Sequence, residues 1–230
     1  MILAAGKGLR MGTDVPKQFA EIGGRTVLSY TLEKFENHPE VDSIIVVCPR
    51  GSGKRVKEIC TAHNITKLRS VVFGGATRRE SSLSGVIEVA RSVGSNGIVL
   101  IHDAARPLVS DNIISENIRL AREVGACVTA MPAVDTVVIS RDGKGVDDIP
   151  PRETVWCVQT PQSFRTELIL KAHEAYEKML SEGKAVPEVT DDGSLVKLIG
   201  LNVAICPSGP ENFKITVARD LELFRSIVGK

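Results

Sequence analysis

Short runs of β-branched and other apolar residues alternate along the chain with segments of helical periodicity. The runs that predict strands fall at residues 1–4, 43–48, 70–73, 97–102 and 126–131. Apolar residues of segment 83–93 recur on one helical face, and Ser81 or Ser82 is predicted to cap this helix. A second helical pattern follows Ser110, a good N-cap residue. Repeated strand–helix units predict a mostly parallel sheet covered by helices on both faces.

The composition fits one globular domain over residues 1–230. Apolar residues make up 43% of the chain, enough for one sizeable core. The net charge of +1 provides no global field for nucleic acid or an acidic membrane. No apolar run approaches the roughly 20 residues that cross a bilayer, and no secretion signal is expected. The 5 cysteines lack a C-x-x-C pair, which predicts free buried thiols in a cytoplasmic protein.

Residues 133–158 depart from the alternation. Segments 134–139 and 154–158 are rich in β-forming residues and flank a polar turn at residues 141–145. This pattern predicts a β-hairpin arm. Because an isolated two-stranded ribbon is marginal in water, we expect the arm to pack on a second subunit or back on its own domain.

A glycine-rich loop directly follows the first predicted strand. The glycines of residues 6–12 have the spacing of neither a Walker loop nor a dinucleotide fingerprint. Lys7, Arg10 and Lys17 nevertheless place three cations near a strand end, where α/β sheets bind their ligands. Such a cluster suits a triphosphate, because cations neutralise the charge that grows on the α-phosphate and on the departing pyrophosphate.

The loop at residues 3–19 (LAAGKGLRMGTDVPKQF) resembles the signature of nucleotidyltransferases that make CDP-linked polyol phosphates. The resemblance continues in GGATRRES at 74–81, HDAARP at 102–107, PAVDT at 132–136, QTPQ at 159–162 and NFKIT at 212–216. It spans nearly the whole chain in the family's order. It implies a Rossmann-like α/β fold of the glycosyltransferase A-like nucleotidyltransferase type, from which the hairpin arm protrudes.

The resemblance also implies a reaction that uses CTP and Mg²⁺. A phosphate oxygen of the acceptor attacks the α-phosphorus of CTP in line, without a covalent enzyme intermediate. The AARP form of residues 104–107 is similar to members that act on 2-C-methyl-D-erythritol 4-phosphate in non-mevalonate isoprenoid biosynthesis. Ribitol 5-phosphate is the alternative acceptor.

Two other classes of function remain as alternatives. A nicotinamide-dependent dehydrogenase is disfavoured by the spacing of the glycines. A non-catalytic nucleotide sensor would not need the full set of charged residues.

The family pattern assigns roles to individual positions. The predicted catalytic residues are Arg10, Lys17, Arg152 and Lys214, of which the first two stabilise the pentacoordinate α-phosphate. The residues expected to contact the nucleotide are Ala4, Ala5, Gly6, Lys7, Gly75, Arg78, Ser81, Asp103 and Ala104. Asp103 is also the predicted Mg²⁺ ligand, since it ends an apolar strand with a carboxylate. The residues expected to contact the acceptor are Arg106, Thr136 and Thr160. Thr136 and Arg152 are expected to come from the arm of a second subunit, which implies a homodimer.

Three further expectations concern local structure. Arg79 is interpreted as a solvated charge, and residues 190–192 as a helix start capped by Thr190 rather than a pair of metal ligands. Related proteins carry more apolar residues before the LAAG segment. Either a truncated start or a short first strand is therefore expected.

Overall fold

The computed structural model of the protein describes residues 1–6 and 15–229. The strands are β1 (Ile2–Leu3), β2 (Glu21–Ile22), β3 (Arg25–Thr26), β4 (Ile44–Cys48), β5 (Leu68–Phe73), β6 (Ile98–Asp103), β7 (Ala126–Pro132), β8 (Trp156–Arg165) and β9 (Ala204–Pro207). The α-helices are α1 (Val27–Asn37), α2 (Gly53–Ala62), α3 (Arg78–Ser92), α4 (Asp111–Val124), α5 (Thr166–Ser181), α6 (Asp192–Leu198) and α7 (Ala218–Val228). No helix in these ranges is long and apolar enough to cross a membrane.

Seven of these strands form one mostly parallel sheet, in the order β5-β4-β1-β6-β8-β7-β9. β1 pairs in parallel with β4 and β6, so that Leu3 lies opposite Val47 on one side and Asp103 on the other. β8 runs antiparallel to both of its neighbours. The internal strand β4 is buried along its whole length, as expected for a parallel strand covered on both faces. The predicted α/β class is confirmed.

Helices cover both faces of the sheet and bury two apolar layers. One layer packs α1, α2 and α4 against the sheet through residues such as Leu32, Ile59 and Ile114. The opposite layer packs α3 and α5 through residues such as Val86 and Ile169. A smaller cluster joins α7 to α1 at the end of the sheet that carries the site. The layers hold the strand ends in fixed relative positions.

The N-cap residues of the helices agree with the prediction at one helix and differ from it at two. Ser110 caps α4 by accepting from the N–H of Ile113. The N-cap of α3 is Thr77 rather than Ser81 or Ser82, and it forms a capping box with Glu80. The reciprocal pair satisfies two backbone donors, which a serine inside the first turn does not do. Asp191 rather than Thr190 caps α6, by accepting from the N–H of Ser194 at 3.0 Å.

The predicted strand at residues 134–139 is absent from the described structure. β7 and β8 pair up to Pro132 and Trp156, and the excursion between them has one isolated bridge, Ile139 to Asp148. A ribbon that leaves the sheet has no further strand to pair with, so β propensity alone does not order it. The Asp142 carboxylate instead accepts from the N–H groups of Lys144 and Gly145. We refer to residues 133–155 as the arm.

Candidate active site

A cleft of about 510 Å³ opens at the carboxyl ends of β1 and β6. This is the edge of the sheet at which α/β proteins bind ligands. The lining residues are Leu3, Ala4, Ala5, Gly6, Lys17, Gln18, Gly75, Ala76, Thr77, Arg78, Ser81, Asp103, Ala104, Ala105, Lys214 and Thr216. Most predicted nucleotide-binding positions therefore meet in one cavity. Lys7 and Arg10 lie outside the described residues.

The floor of the cleft is the backbone that follows β1. The N–H of Ala4 donates to the carbonyl of Val47 at 2.7 Å, which ties the start of the loop to the sheet. The Gln18 amide donates to the carbonyls of Ala4 at 2.7 Å and of Gly6 at 3.1 Å. Gln18 was not predicted as a site residue, although it adjoins Lys17 in the loop motif. It fixes the course of the backbone beside the cleft.

One wall of the cleft requires residues without side chains. A Cβ at Gly75 would stand 2.4 Å from the Cβ of Glu80, and one at Gly74 would stand 2.6 Å from the Cβ of Ala5. The missing side chains let this segment pack on Ala5 and Glu80, and Gly75, which lines the cleft, presents only its backbone there. The nearby Ser81 hydroxyl is buried and donates to the carbonyl of Thr77 at 2.9 Å. Its lone pairs remain to accept a hydrogen bond, as an exocyclic amino group of a base would require.

The opposite wall concentrates charge around Asp103. The Lys214 Nζ lies 2.7 Å from the Asp103 Oδ2, and the Arg106 Nε lies 3.7 Å from the same oxygen. Burial alone would raise the pKa of Asp103. Lys214 and Arg78, followed by Arg106, nevertheless hold this pKa well below the usual range. The carboxylate is thus ionised at neutral pH and surrounded by cations.

Arg106 is largely buried beside the cleft. Its Nη1 donates to the carbonyl of Asn212 at 2.7 Å, while its Nε has no hydrogen-bond acceptor within the part of the chain that is described. A buried guanidinium N–H without an acceptor is costly. Arg106 thus keeps one donor beside Asp103, and its predicted contact with the acceptor stays a prediction.

A chain of hydrogen bonds behind Asp103 sets its backbone position. The His102 Nε2 lies 3.0 Å from the carbonyl of Arg106, so it donates and leaves Nδ1 as an acceptor. The Thr160 hydroxyl lies 3.1 Å from Nδ1 and accepts from the N–H of Asp103 at 3.1 Å. Thr160 is 4% exposed and does not line the cleft. Its predicted contact with the acceptor stays a prediction.

Two arginines at the start of α3 have partners from distant parts of the chain. Arg78 lines the cleft, and its Nη1 lies 2.8 Å from the Asp192 Oδ2. Arg79 forms an ion pair with Glu177, and its guanidinium lies 4.9 Å from the centre of the Tyr176 ring. The interpretation of Arg79 as a solvated charge is therefore wrong, because α5 packs beside α3 and supplies both partners.

The predicted arm residues lie apart from the cleft in the single chain. Thr136 and Arg152 are exposed and do not line it. The Arg152 Nη1 donates to the carbonyl of Val134 at 3.4 Å, within the arm itself. A single chain cannot test whether Thr136 and Arg152 reach the cleft of a second subunit. Their predicted roles therefore stay predictions.

The donor set fits a metal that takes few protein ligands. Asp103 is the one carboxylate that lines the cleft within the described residues, where no group of three acidic, histidine or cysteine side chains converges. Mg²⁺ prefers oxygen ligands and usually takes one or two carboxylates together with phosphates and water. Asp103 is suited to such an ion if the nucleotide brings the remaining oxygens.

A cleft with a bare backbone wall, a buried hydroxyl and a charged wall at parallel strand ends defines a nucleotide-binding α/β protein. A sequence model of the family IspD: 2-C-methyl-D-erythritol 4-phosphate cytidylyltransferase matches residues 1–230. The chain belongs to this family.

Individual relatives agree with this assignment. The 2-C-methyl-D-erythritol 4-phosphate cytidylyltransferase of Geobacter metallireducens is 38% identical over 229 residues, which cover 99% of this chain and 96% of that protein. The protein of the same name from Clostridium novyi is 39% identical over 230 residues and covers 99% of this chain and 95% of its own.

Solved structures show the same fold. The 4-diphosphocytidyl-2C-methyl-D-erythritol synthase of Anaerococcus prevotii superposes with a TM-score of 0.83 at 31% identity and covers 100% of this chain and 94% of its own. The enzyme from Thermus thermophilus gives a TM-score of 0.74 at 31% identity, with 100% and 98% covered. The predicted family and fold are confirmed.

Proposed function

We propose that the chain transfers the cytidylyl group of CTP to 2-C-methyl-D-erythritol 4-phosphate, a step of non-mevalonate isoprenoid biosynthesis. A phosphate oxygen of the acceptor forms a bond to the α-phosphorus of CTP. The bond from that phosphorus to the β-phosphate oxygen breaks, and pyrophosphate leaves. The single observation that carries the proposal is the cleft, in which Lys17, Arg78 and Lys214 stand around a backbone-lined nucleotide site.

Different parts of the cleft contact the base and the triphosphate of the nucleotide. Cytosine lies against Gly75 and Ser81, where exposed backbone groups and a hydroxyl acceptor read its edge. The triphosphate lies towards Lys17, with Arg10 and Lys7 from the preceding loop. Because the chemical step needs no protein nucleophile, these cations act by charge stabilisation and positioning.

Asp103 holds the Mg²⁺ ion in this proposal. The bound ion supplies charge neutralisation between the triphosphate oxygens. Lys214, Arg78 and Arg106 keep the Asp103 carboxylate ionised, and the His102–Thr160 chain holds its backbone in place beside the cleft. The low pKa of Asp103 supports this role, since a hard cation needs an ionised ligand at neutral pH.

The acceptor phosphate lies between two chains of a homodimer. Lys214 and Arg106 come from the chain that binds CTP, and Thr136 and Arg152 of a partner chain come from its arm. The exposed apolar side chains of the arm support this arrangement: Val134, Val146 and Ile149 are 72%, 60% and 57% exposed. Several exposed apolar side chains within one segment are typical of a surface that packs on another chain.

A reducing compartment suits the thiols. The five cysteines are free, and Cys157 alone among them is exposed. We place the protein in the cytoplasm on this basis.

Purified protein assayed with CTP, Mg²⁺ and each acceptor tests the function. Pyrophosphate release is followed for 2-C-methyl-D-erythritol 4-phosphate and for ribitol 5-phosphate, with kcat/KM measured for both. We expect the methylerythritol phosphate to be preferred by about a hundredfold or more, as an acceptor-specific hydrogen-bonding site provides. A preference for ribitol phosphate would overturn the choice of acceptor. Binding of CTP without any pyrophosphate release would favour a nucleotide sensor.

A further inference from the structure

The ion pair of Arg78 with Asp192 connects the cleft to the interior of the protein. Arg78 is the first residue of α3, and its side chain is 30% accessible at the cleft. Asp192 is the first residue of α6, and its side chain is 1% accessible. A carboxylate that lies behind the cleft wall thus holds a guanidinium that lines the cleft.

Asp192 is held both through its carboxylate and through its backbone. The Ser82 hydroxyl, which is fully buried on α3, donates to the Oδ1 of Asp192. The backbone N–H groups of Asp192 and Gly193 both donate to the Gln162 Oε1 at 3.0 Å. Gly193 packs so closely on β7 that a Cβ there would stand 2.6 Å from the Cγ1 of Val128. The start of α6 therefore has one well-defined position relative to α3.

Arg78 is attracted by three carboxylates, of which Asp192 acts most strongly, followed by Asp103 and Asp191. Burial alone would lower the pKa of Arg78. The charge of Asp192, followed by that of Asp103, raises this pKa. Without the charge of Asp192, only the weaker attraction of Asp191 would oppose that of Asp103 for Arg78 inside the cleft. A guanidinium on Asp103 would neutralise the carboxylate and obstruct the space that a nucleotide needs.

We propose that Asp192 is a positioning residue for nucleotide binding, which holds the Arg78 guanidinium at the cleft wall and away from Asp103. Both side chains are then available to CTP. The inference rests on the proposed use of CTP. A buried ion pair adds little net stability compared with apolar residues of similar size, so stability alone gives Asp192 and Arg78 no advantage over such residues.

The variant Asp192→Asn tests the proposal, since it keeps the size of the side chain and an oxygen for Ser82 but removes the charge. We expect the Kd and KM for CTP to rise about tenfold to a hundredfold, with kcat at saturating CTP little changed. Isothermal titration with CTP and steady-state kinetics measure the two effects. Asp191→Asn is the matched control, because asparagine also caps a helix and the same charge is lost one residue away. Its CTP affinity should fall much less than that of Asp192→Asn, because Asp191 attracts Arg78 more weakly.

A double-mutant cycle with Arg78→Met separates positioning from a merely structural role. If Asp192 acts through Arg78, then Asp192→Asn should change the CTP affinity little further in the Arg78→Met background. Additive effects, or a lower Tm with unchanged CTP affinity in Asp192→Asn, would overturn the proposal. If Asp192→Asn does not fold, Ser82→Ala replaces it, and an unchanged CTP affinity in that variant would count against the proposal. The acceptor assay on the unmodified protein tests the proposed function separately.

Discussion

The Lys214 Nζ lies 2.7 Å from the Asp103 Oδ2, so a lysine near the end of the chain neutralises the carboxylate that ends β6. Both residues have a proposed second partner: the acceptor phosphate for Lys214 and Mg²⁺ for Asp103. We expect the substrates and the metal to compete with this ion pair. When the ion pair breaks, Lys214 becomes free to bind the acceptor phosphate and Asp103 becomes free to bind Mg²⁺.

The variant Lys214→Gln should therefore shift two properties in opposite directions. The Mg²⁺ concentration for half-maximal activity should fall, because Asp103 loses its closest cation. The KM for the acceptor should rise about tenfold or more, since one charge-assisted contact with the phosphate is lost. Initial rates over a matrix of Mg²⁺ and acceptor concentrations measure both. Asp103→Asn should raise the Mg²⁺ requirement, and equal Mg²⁺ dependence in the two variants would contradict a metal at Asp103.

The variant Lys17→Ala should have a lower kcat and an almost unchanged affinity for CTP. Lys17 lines the cleft, as Gly6 does. If its charge acts mainly on the transition state, kcat should fall about a hundredfold to a thousandfold while the Kd for CTP changes little. Single-turnover kinetics and calorimetry measure the two quantities. Lys57→Ala, which removes an exposed lysine from α2, is the control. A Kd that rises as much as kcat falls would assign Lys17 to ground-state binding.

Two buried histidines should make the fold sensitive to mild acid. Burial lowers the pKa of His102 and of His173 from 6.5 to about 4. Between these values the unfolded chain binds protons that the native chain does not, so the free energy of unfolding decreases as the pH falls from 6.5 to 4. Each histidine accounts for at most roughly 3 kcal/mol.

The variant His173→Leu isolates one of the two contributions. Neither ring nitrogen of His173 has a hydrogen-bond partner within the described residues, so an apolar side chain removes no such bond. The Tm of His173→Leu should fall less between pH 7 and pH 5 than the Tm of the unmodified protein, as measured by calorimetry. Equal pH dependence in His173→Leu and in the unmodified protein would contradict the assignment to His173.

Complementation between inactive chains should reveal the shared acceptor site. Lys17→Ala removes a residue of the cleft, and Arg152→Ala removes a residue of the arm. If the arm serves the partner chain, half of the randomly mixed dimers carry one intact site, so about a quarter of full activity should return. The assay is pyrophosphate release after the two variants are mixed and allowed to exchange subunits. No recovery in mixtures shown to contain heterodimers would contradict the shared site. So would a light-scattering mass of one 24.8 kDa chain in active protein.

Local patterns predicted the sheet because the apolar pattern of each segment indicates which of its residues are buried. The strand predicted at residues 43–48 corresponds to β4, and the helix predicted at 83–93 overlaps the longer α3, which ends at Ser92. The cap of α3 was misplaced because Thr77, Ser81 and Ser82 all carry hydroxyls, and the side-chain pattern alone does not tell them apart. The arm was predicted as a ribbon because β propensity does not reveal whether a neighbouring strand is present.

Interactions across long sequence separations could not be predicted from such patterns. Asp192 contacts Ser82 and Arg78 from a separate helix, and Gln162 joins them from the middle of β8. β8 itself was predicted only in its first residues, yet it continues to Arg165 and inserts between β6 and β7. The position of the cleft was predictable, since the motifs lie at strand ends. The network behind it depends on how helices pack.

The cleft gathers residues from nearly the whole length of the polypeptide. Leu3 and Thr216 line the same cavity, with the start of α3 and the end of β6 between them. A ribosome must therefore release most of the chain before any nucleotide can dock, and a truncated product that ends before Lys214 has an incomplete pocket. CTP binds only a chain in which the whole cleft has formed. It therefore stabilises only chains that have completed synthesis and folded throughout.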